Sequence, residues 1–369
     1  MTLRFINTLI LLSTFLLGSE FEIGVFENAG LSVEIILIFI SFVVNLFFYR
    51  RYNNLKFKNQ FVVILLLLTI ILFFVLRDLL ISNFRTFYFL IFYLLIFSLV
   101  SIRAQEPFYF NVLLTVLLLI FVSKALIYPE VLEDLDYLDS EGSRIYRIRT
   151  LGFESNAVGV IFCTIFVYAL ASLNYSSSVL EKVLLVSLLI LSVVLVVKTY
   201  SRAAYLSLIL TTIWMFYRKF AFYLFSIPIL LYFFHFLVSE EIISSIVVER
   251  FLNSVDTNNP RLDHWRMAYD DFYLHLPLSF FFGIGFFKHA IDNTYLNIFY
   301  SVGLIGFILF FSLLVKLFRS LKLSLYSKVI VFVLLFNFLF IDFFAQRKIL
   351  LIAFFLIVSL ERKYLISKS

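Results

Sequence analysis

Of the 369 residues, 63% are hydrophobic and only 15% are charged, and phenylalanine alone accounts for 50. A soluble domain is about half apolar and about a quarter charged, so this composition excludes an ordinary soluble fold and describes a chain whose solvent is mostly lipid. The net charge of +6 is scattered between apolar runs, the pattern of loops that set membrane topology, and it gives no nucleic-acid-binding patch.

A helix needs about 20 apolar residues to cross a bilayer. By that measure the sequence predicts about twelve spans, near residues 3–18, 31–49, 60–76, 86–102, 108–127, 155–174, 180–197, 203–217, 220–238, 293–317, 328–343 and 348–360. The first also has the outline of a signal peptide, with Arg4 before an apolar run and Gly18-Ser19 after it. In so polytopic a chain a retained span is the preferred reading. The last two are short enough to form a re-entrant pair instead. No repeat, linker or low-complexity run divides the chain, so residues 1–369 read as a single all-α polytopic membrane domain.

Charge sets the expected orientation. Arg50, Arg51, Lys56 and Lys58 lie in one loop, Lys316, Arg319, Lys322 and Lys328 in another, and Arg362, Lys363 and Lys368 in the tail. Alternating spans put all of these on one side, the cytoplasm by the positive-inside rule, with both termini there. Glu20, Glu22 and Glu27, and the acidic run Glu130 to Glu141, fall on the opposite side. Two long polar loops then face outward, about 128–154 and 239–292, with a short outward turn at Lys198 to Ala204.

Chemistry is expected at these outward segments, where irregular backbone meets water. Arg202, in "VVKTYSRAAYLSLIL", stands between two apolar runs. Near a membrane core an Arg costs at least ~2.5 kcal/mol on insertion scales; it either snorkels to headgroups or offers its planar fork to a phosphate. The larger loop carries Arg250, Arg261, Asp263, His264, Trp265, Arg266, Asp270, Asp271 and Asp292. Within it, Pro260 to Tyr273 predicts an amphipathic helix with Pro260 at its start. Leu262, Trp265 and Tyr269 share one face, as in a helix lying on a membrane surface; pairing of its Arg and Asp residues on a solvated face is the plainer account. The "GIGF" at Gly283 to Phe286 is half of a phosphate loop without the lysine.

The last feature is "DNTYLNIFYSVGLIGF", Asp292 to Phe307. On a helix Asn293, Asn297 and Tyr300 make one polar stripe entering the bilayer, and Gly303 and Gly306 allow a close helix approach. Asp292 could simply cap the helix. Cys163 is the one cysteine, and His235, His264, His275 and His289 lack ligand spacing, so neither a disulfide nor a metal or other cofactor is expected.

Taken in order over about residues 144–306, these segments resemble the bacterial O-antigen ligase and polymerase superfamily, which includes Wzy-type polymerases and WaaL-type ligases. "DN-x9-GxxG" resembles its signature before a late span, and "SRAAY" (Ser201–Tyr205) its motif opening a span. "RIRTLGFESNAVGV", with Arg147 and Arg149, resembles a segment preceding a middle span, and "RLDHWRMAYDDFYLHLPLSFFFGIGF" its large loop. Where a ligase carries His, this chain carries Asp292, which is closer to a polymerase.

The resemblance implies glycosyl transfer on the outer face of a bacterial cytoplasmic membrane. The donor would be a glycan on undecaprenyl diphosphate and the acceptor another lipid-linked repeat unit, yielding O-antigen, capsule or exopolysaccharide. A flippase and a chain-length regulator would be partners besides the bilayer itself. Arg202 and Arg261 would hold the diphosphate, with Arg266 as a further cation, and Asp292 would be the base or acceptor-orienting group, with Asp263 as its alternative. Asn293, His264, Trp265, Arg250 and Arg149 would contact substrate. A ligase acting on another acceptor is the nearest alternative. A lipid-linked oligosaccharide flippase is the alternative of another class, against which stand the lack of internal repeats and the clustering of polar residues on one side.

Overall fold

The structure, a computed structural model, describes residues 2–16, 22–26, 29–32, 36, 40, 109–127, 132–138, 144–148, 155–176, 178–199, 201–216, 260–284, 291, 293–321, 323–341 and 347–368. The described helices are α1 (Thr2–Leu16), α2 (Phe110–Ile127), α3 (Ser155–Leu173), α4 (Val179–Lys198), α5 (Arg202–Phe216), α6 (Pro260–Leu274), α7 (Leu278–Phe282), α8 (Thr294–Leu321), α9 (Leu325–Asn337) and α10 (Arg347–Lys368). Among the described residues, strands are confined to two short antiparallel hairpins, β1 (Glu22–Phe26) with β2 (Ala29–Ser32), and β3 (Leu132–Leu138) with β4 (Arg144–Ile148). The second hairpin organises the expected outward loop 128–154 by folding its acidic run back on its basic one. Glu133 stands opposite Arg147 in its register.

The described apolar segments form helices where hydropathy places them. Among the described residues, three helical stretches are long and apolar enough to cross a membrane: Asn156–Leu173, Val179–Lys198 and Thr294–Ser312. The 20 residues of α4 span about 30 Å at 1.5 Å per residue, the thickness of a bilayer's hydrocarbon core. The expected spans at 60–76, 86–102 and 220–238 lie outside the described residues, as does most of 31–49, whose first two residues belong to β2.

Two helices form the centre. In α3, Ala157, Val160, Ile161, Phe162, Ile165 and Tyr168 are all buried, and in α10 the run from Ile349 to Ile357 is buried on every side. Among the described helices, α1, α4, α5 and α9 pack against this pair. On α4, Leu185, Leu188, Leu195 and Val196 face inward, while Val179, Val183, Val186, Ile190 and Val194 are exposed. The exposed set is as apolar as the buried one. A helix with an apolar outer face has lipid, not water, as its outer solvent.

Several polar side chains inside the bundle are bonded within it. Asn337 donates to Ser207 Oγ at 2.7 Å and to the Val333 carbonyl at 2.8 Å, and Thr211 and Thr212 return to carbonyls of their own helix. The helix ends fall into two groups. At one end, Glu181 at the start of α4 meets Asn111 of α2 and Lys363 of α10, and Tyr175 after α3 packs edge-on against Tyr326 of α9 and Tyr364 of α10. At the other end lie the start of α3, the α4–α5 turn, the end of α9 and the start of α8.

The lipid-facing character of α4 gives a direct test. Ile190→Lys, on the outer face near mid-helix, should lower the folded, membrane-inserted fraction by the ~2.5–3.5 kcal/mol that a central lysine costs. Val183→Lys, nearer the helix end where the side chain can snorkel, should be close to neutral. Inserted protein recovered by gel filtration in mild detergent measures both.

Candidate active site

The turn between α4 and α5 shows what each residue of "SRAAY" does. Ser201 caps α5: its carbonyl accepts the Tyr205 N–H at 3.0 Å and its Oγ accepts the Ala204 N–H at 3.4 Å, as serine does at helix starts. Ala204 lies against Gly159 of α3, so closely that a Cβ built on that glycine would come within 2.5 Å of Ala204 Cβ. This is the small-residue contact by which membrane helices approach. Tyr205 donates its hydroxyl to the Val197 carbonyl at 2.6 Å, tying α5 back to α4. Arg202 alone is exposed, and among the described residues none forms an ion pair with it. Packing explains Ser201, Ala204 and Tyr205 and leaves the guanidinium outward.

The start of α8 is built with equal economy. Asn293 is its N-cap, with Oδ1 accepting the Leu296 N–H at 3.0 Å and Nδ2 donating to the Leu339 carbonyl at 3.1 Å. The cap that is the plainer account of Asp292 is made by Asn293, because the helix begins at Thr294. Thr294 adds two bonds to the same neighbour, from its N–H to the Phe338 carbonyl and from its hydroxyl to the Ile341 carbonyl. The turn following α9 is therefore the seat of the α8 N-terminus. Asn337, the last residue of α9, binds Ser207 of α5. The segment 337–341 so links the Arg202 helix to the Asn293 helix at one end of the bundle. The polar stripe of α8 runs through Asn293, Asn297 and Ser301, whose hydroxyl donates to Asn297 Oδ1 at 2.8 Å. Both asparagines are buried, while Tyr300 packs on Phe272.

Two glycines couple the large loop to α8. Gly303 has φ 65° and ψ −174°, which kinks α8 where the sequence predicts a continuous helix. Gly283, at the end of α7, has φ 75°. Both angles lie in the region that only glycine occupies cheaply. A Cβ on Gly283 would stand 2.3 Å from the Ser301 carbonyl oxygen, and one on Gly303 would stand 2.4 Å from the Phe281 carbonyl carbon. Backbone therefore lies on backbone, and the Ile284 N–H donates to the Tyr300 carbonyl at 2.7 Å. The "GIGF" stretch, half a phosphate loop in the sequence, gives its first glycine to this contact.

The amphipathic helix α6 sits beside it. Phe272 meets Phe299 at 5.5 Å and Tyr300 at 5.1 Å between ring centres, and Ser279 of α7 donates to the Phe272 carbonyl. Among the side chains described, its inward face is Trp265, Ala268 and Phe272, so Trp265 of the expected face lies on it and Tyr269 does not. Tyr269 is exposed and stacks on exposed Tyr273, because Phe272 is the residue that fits between the aromatic rings of α8. The Trp265 indole N–H is buried with no hydrogen-bond partner among the described residues.

Of the sequence-predicted site residues, Arg202, Asp263, His264 and Arg266 are exposed, Trp265 is half-buried, and Asn293 is buried with its amide bonded on both sides. Arg261 lies in the first turn of α6. Asp292, Arg250 and Arg149 lie outside the described residues. The α5 turn, the α8 start and the α6–α7 loop are joined through Asn337–Ile341 and the glycine contact. Sequence reasoning missed the bridging role of Asn337, although a lone amide inside "VFVLLFNFLFID" was its signal. It also missed Gly159, which is marked only by the small residue opposite it. No protein-family model, curated protein or solved structure matches this chain.

The glycine contact is testable by itself. Gly303→Ala imposes both a left-handed backbone and a clash with the Phe281 carbonyl, and should destabilise the protein by on the order of 2–4 kcal/mol. The thermal unfolding midpoint of the detergent-purified protein, compared with wild type, reads this loss.

Proposed function

We propose that the protein is a polytopic membrane glycosyltransferase of about twelve spans that polymerises undecaprenyl-diphosphate-linked oligosaccharide repeat units on the outer face of a bacterial cytoplasmic membrane, with both termini in the cytoplasm. The observation that carries this reading is the convergence at one end of the bundle of segments about 100 residues apart. The "SRAAY" turn, the start of α8 and the α6–α7 loop carry the resemblance to O-antigen polymerases, and they are held together by Asn337–Ile341 and by Gly283 on Gly303. A one-sided gathering of polar segments over an apolar bundle suits an enzyme whose substrate is anchored in the membrane and whose reacting sugar projects into water.

In the proposed reaction, a hydroxyl of the acceptor sugar attacks the anomeric carbon of the donor glycan. The bond from that carbon to the lipid diphosphate breaks, a glycosidic bond forms, and the diphosphate leaves with the bonding electron pair. Asp292 accepts the hydroxyl proton. Arg202 and Arg261 neutralise the charge that grows on the diphosphate, a task for which fixed guanidiniums are suited in a site with little water. The exposure of Arg202, while Ser201, Ala204 and Tyr205 around it are used in packing, fits that role. Arg266, exposed on α6, would be a further cation for the diphosphate, His264 beside it would meet the polar glycan, and Trp265 brings an indole N–H that a sugar oxygen could accept. Arg250, Arg149, Asp263 and Asn293 complete the proposed set, Asn293 by seating the helix that follows Asp292. The repeat units arrive by way of a flippase, and a chain-length regulator sets where extension stops.

The test is Arg202→Ala and Asp292→Ala, each expressed at wild-type level in cells that depend on this polymerase. Both should reduce the surface glycan to single repeat units, a loss of at least about 100-fold in long polymer if each removes about 3 kcal/mol of transition-state stabilisation. Wild-type chain-length distributions from both variants would sink the assignment. Wild-type polymer that is no longer attached to its final acceptor would point to a ligase.

A further inference from the structure

The twelve residues from Leu276 to Phe287 carry no charge. That is too few to cross a bilayer as a helix; an apolar run of about 10–14 residues has the length of a buried or re-entrant segment. Its described part, 276–284, turns most of its large side chains outward. Leu278 is 68% exposed and Phe281 44% exposed, and Leu274, Leu276 and Phe280 near them are exposed as well. A loop in water rarely presents so many adjoining large apolar side chains.

Helix α8 fixes the depth of this segment. Its apolar stretch Thr294–Ser312 is 19 residues long, and Gly303 is the tenth of them, on the order of 14 Å from the helix start at 1.5 Å per residue. The backbone of Phe281 and Phe282 lies against Gly303, so α7 reaches the middle of the stretch that crosses the membrane. Nearer the helix start, Phe272 and Phe280 both pack on Phe299. Exposure along α8 follows this cover. From Asn293 to Phe307 no described side chain is exposed, whereas Ile308, Ser312 and Val315 beyond it are. On α4, by contrast, exposed apolar side chains recur from Val179 to Val194. The α6–α7 segment thus stands where lipid stands farther down α8. Its backbone is bonded at the turn, as lipid requires: the Ser279 N–H donates to the His275 carbonyl at 3.1 Å, the Gly283 N–H to the Ser279 carbonyl at 2.7 Å, and the Ile284 N–H to the Tyr300 carbonyl at 2.7 Å. The Ser279 hydroxyl donates to the Phe272 carbonyl. A water-filled recess at this depth would be lined by polar side chains, and Leu and Phe line this one.

We infer that residues 276–284 form a re-entrant tip that enters the bilayer on the side of the α8 start and ends near its middle. Leu276, Leu278, Phe280 and Phe281 lie against acyl chains of that leaflet, in continuity with the lipid-facing side of α8 at Ile308 and Val315. The last titratable side chain before the tip is His275, whose ring nitrogen lies 3.6 Å from the Asp271 carboxylate, so the chain enters lipid after it. Part of the loop 239–292 is then inside the membrane. The inference rests on α8 crossing the bilayer and not on the reaction proposed above.

The experiment uses the full-length protein in vesicles of phosphatidylethanolamine and phosphatidylglycerol. Nitroxide labels are attached through Leu278→Cys and Phe281→Cys. Ile190→Cys on the outer face of α4 and Asp263→Cys in the first turn of α6 serve as references, and the native Cys163 is buried and stays unlabelled. The measurement is each label's collision rate with oxygen, which enters hydrocarbon, and with a water-soluble nickel chelate. Labels at Leu278 and Phe281 should match the label at Ile190. Their oxygen-to-nickel collision ratio should exceed that at Asp263 by at least about tenfold, because a polar solute is excluded from an apolar medium. Leu276→Cys replaces either variant that does not elute as folded protein on gel filtration. A ratio equal to that at Asp263 would overturn the proposal, since water would then surround the tip. Labels shielded from both reagents would overturn it as well, since protein, whether a second copy or another part of the chain, would then cover the tip.

Discussion

An amide or hydroxyl carried into an apolar bundle has no water to bond, so it must find a partner in the chain. Much of this architecture follows from that constraint. Asn337 cannot stay unbonded at the end of α9 and so takes Ser207 of α5. Asn293 and Thr294 cannot leave the first amides of α8 bare and so bind the turn that follows α9. Glu181 cannot remain a lone carboxylate between helices and so gathers Lys363, Asn111 and Ser176. Each bond ties helices distant in sequence. Apolar packing among Leu, Ile and Phe would be satisfied by many rotations and offsets of these helices. The polar bonds select among them, because in lipid an unmade hydrogen bond costs several kcal/mol.

The same constraint sorts the two ends by purpose. At the end holding Glu181 and Lys363, these two pair at 2.7 Å, and tyrosines at 6.0 Å from one another lock α3, α9 and α10. At the other end several charged groups stay outward: Arg202 on α5, and Asp263, His264 and Arg266 on α6. Groups that serve the fold are bonded inside it, and groups left exposed above a well-bonded scaffold are available to something else.

How much of this was legible in the sequence depends on the physics of each element. The helices α3, α4, α5 and α8 stand where hydropathy puts them, since long apolar runs in lipid have almost no alternative to helix. The helix α6 was visible from Pro260 and its amphipathic spacing, but not the direction it faces. A helical wheel cannot know that Phe272, rather than Tyr269, fits against Phe299 and Tyr300. The hairpin in the loop 128–154 was hidden for the same reason, because strand pairing joins residues that no local pattern connects. Asn293 was picked out as a substrate-positioning residue, and its polarity was a true signal. That signal reports a cap as readily as a ligand, and the geometry shows the cap. The two glycines were read as permissive for helix packing. Their left-handed backbone and their contact with one another's strand of chain depend on tertiary structure alone.

The contact between Gly283 and Gly303 also bears on how such a protein can change. The Tyr300 carbonyl, at the kink in α8, is bonded by the Ile284 N–H of the preceding loop, so part of the loop completes the wall of the span. The block of chain that must be kept together with the loop then ends below Gly303, inside the helix, not at the water–lipid boundary. Two relatives with different loops could exchange them only as a block that carries the first three turns of α8. A graft that stops at the membrane surface would set one lineage's loop on the other's helix, with neither glycine fitted to its counterpart.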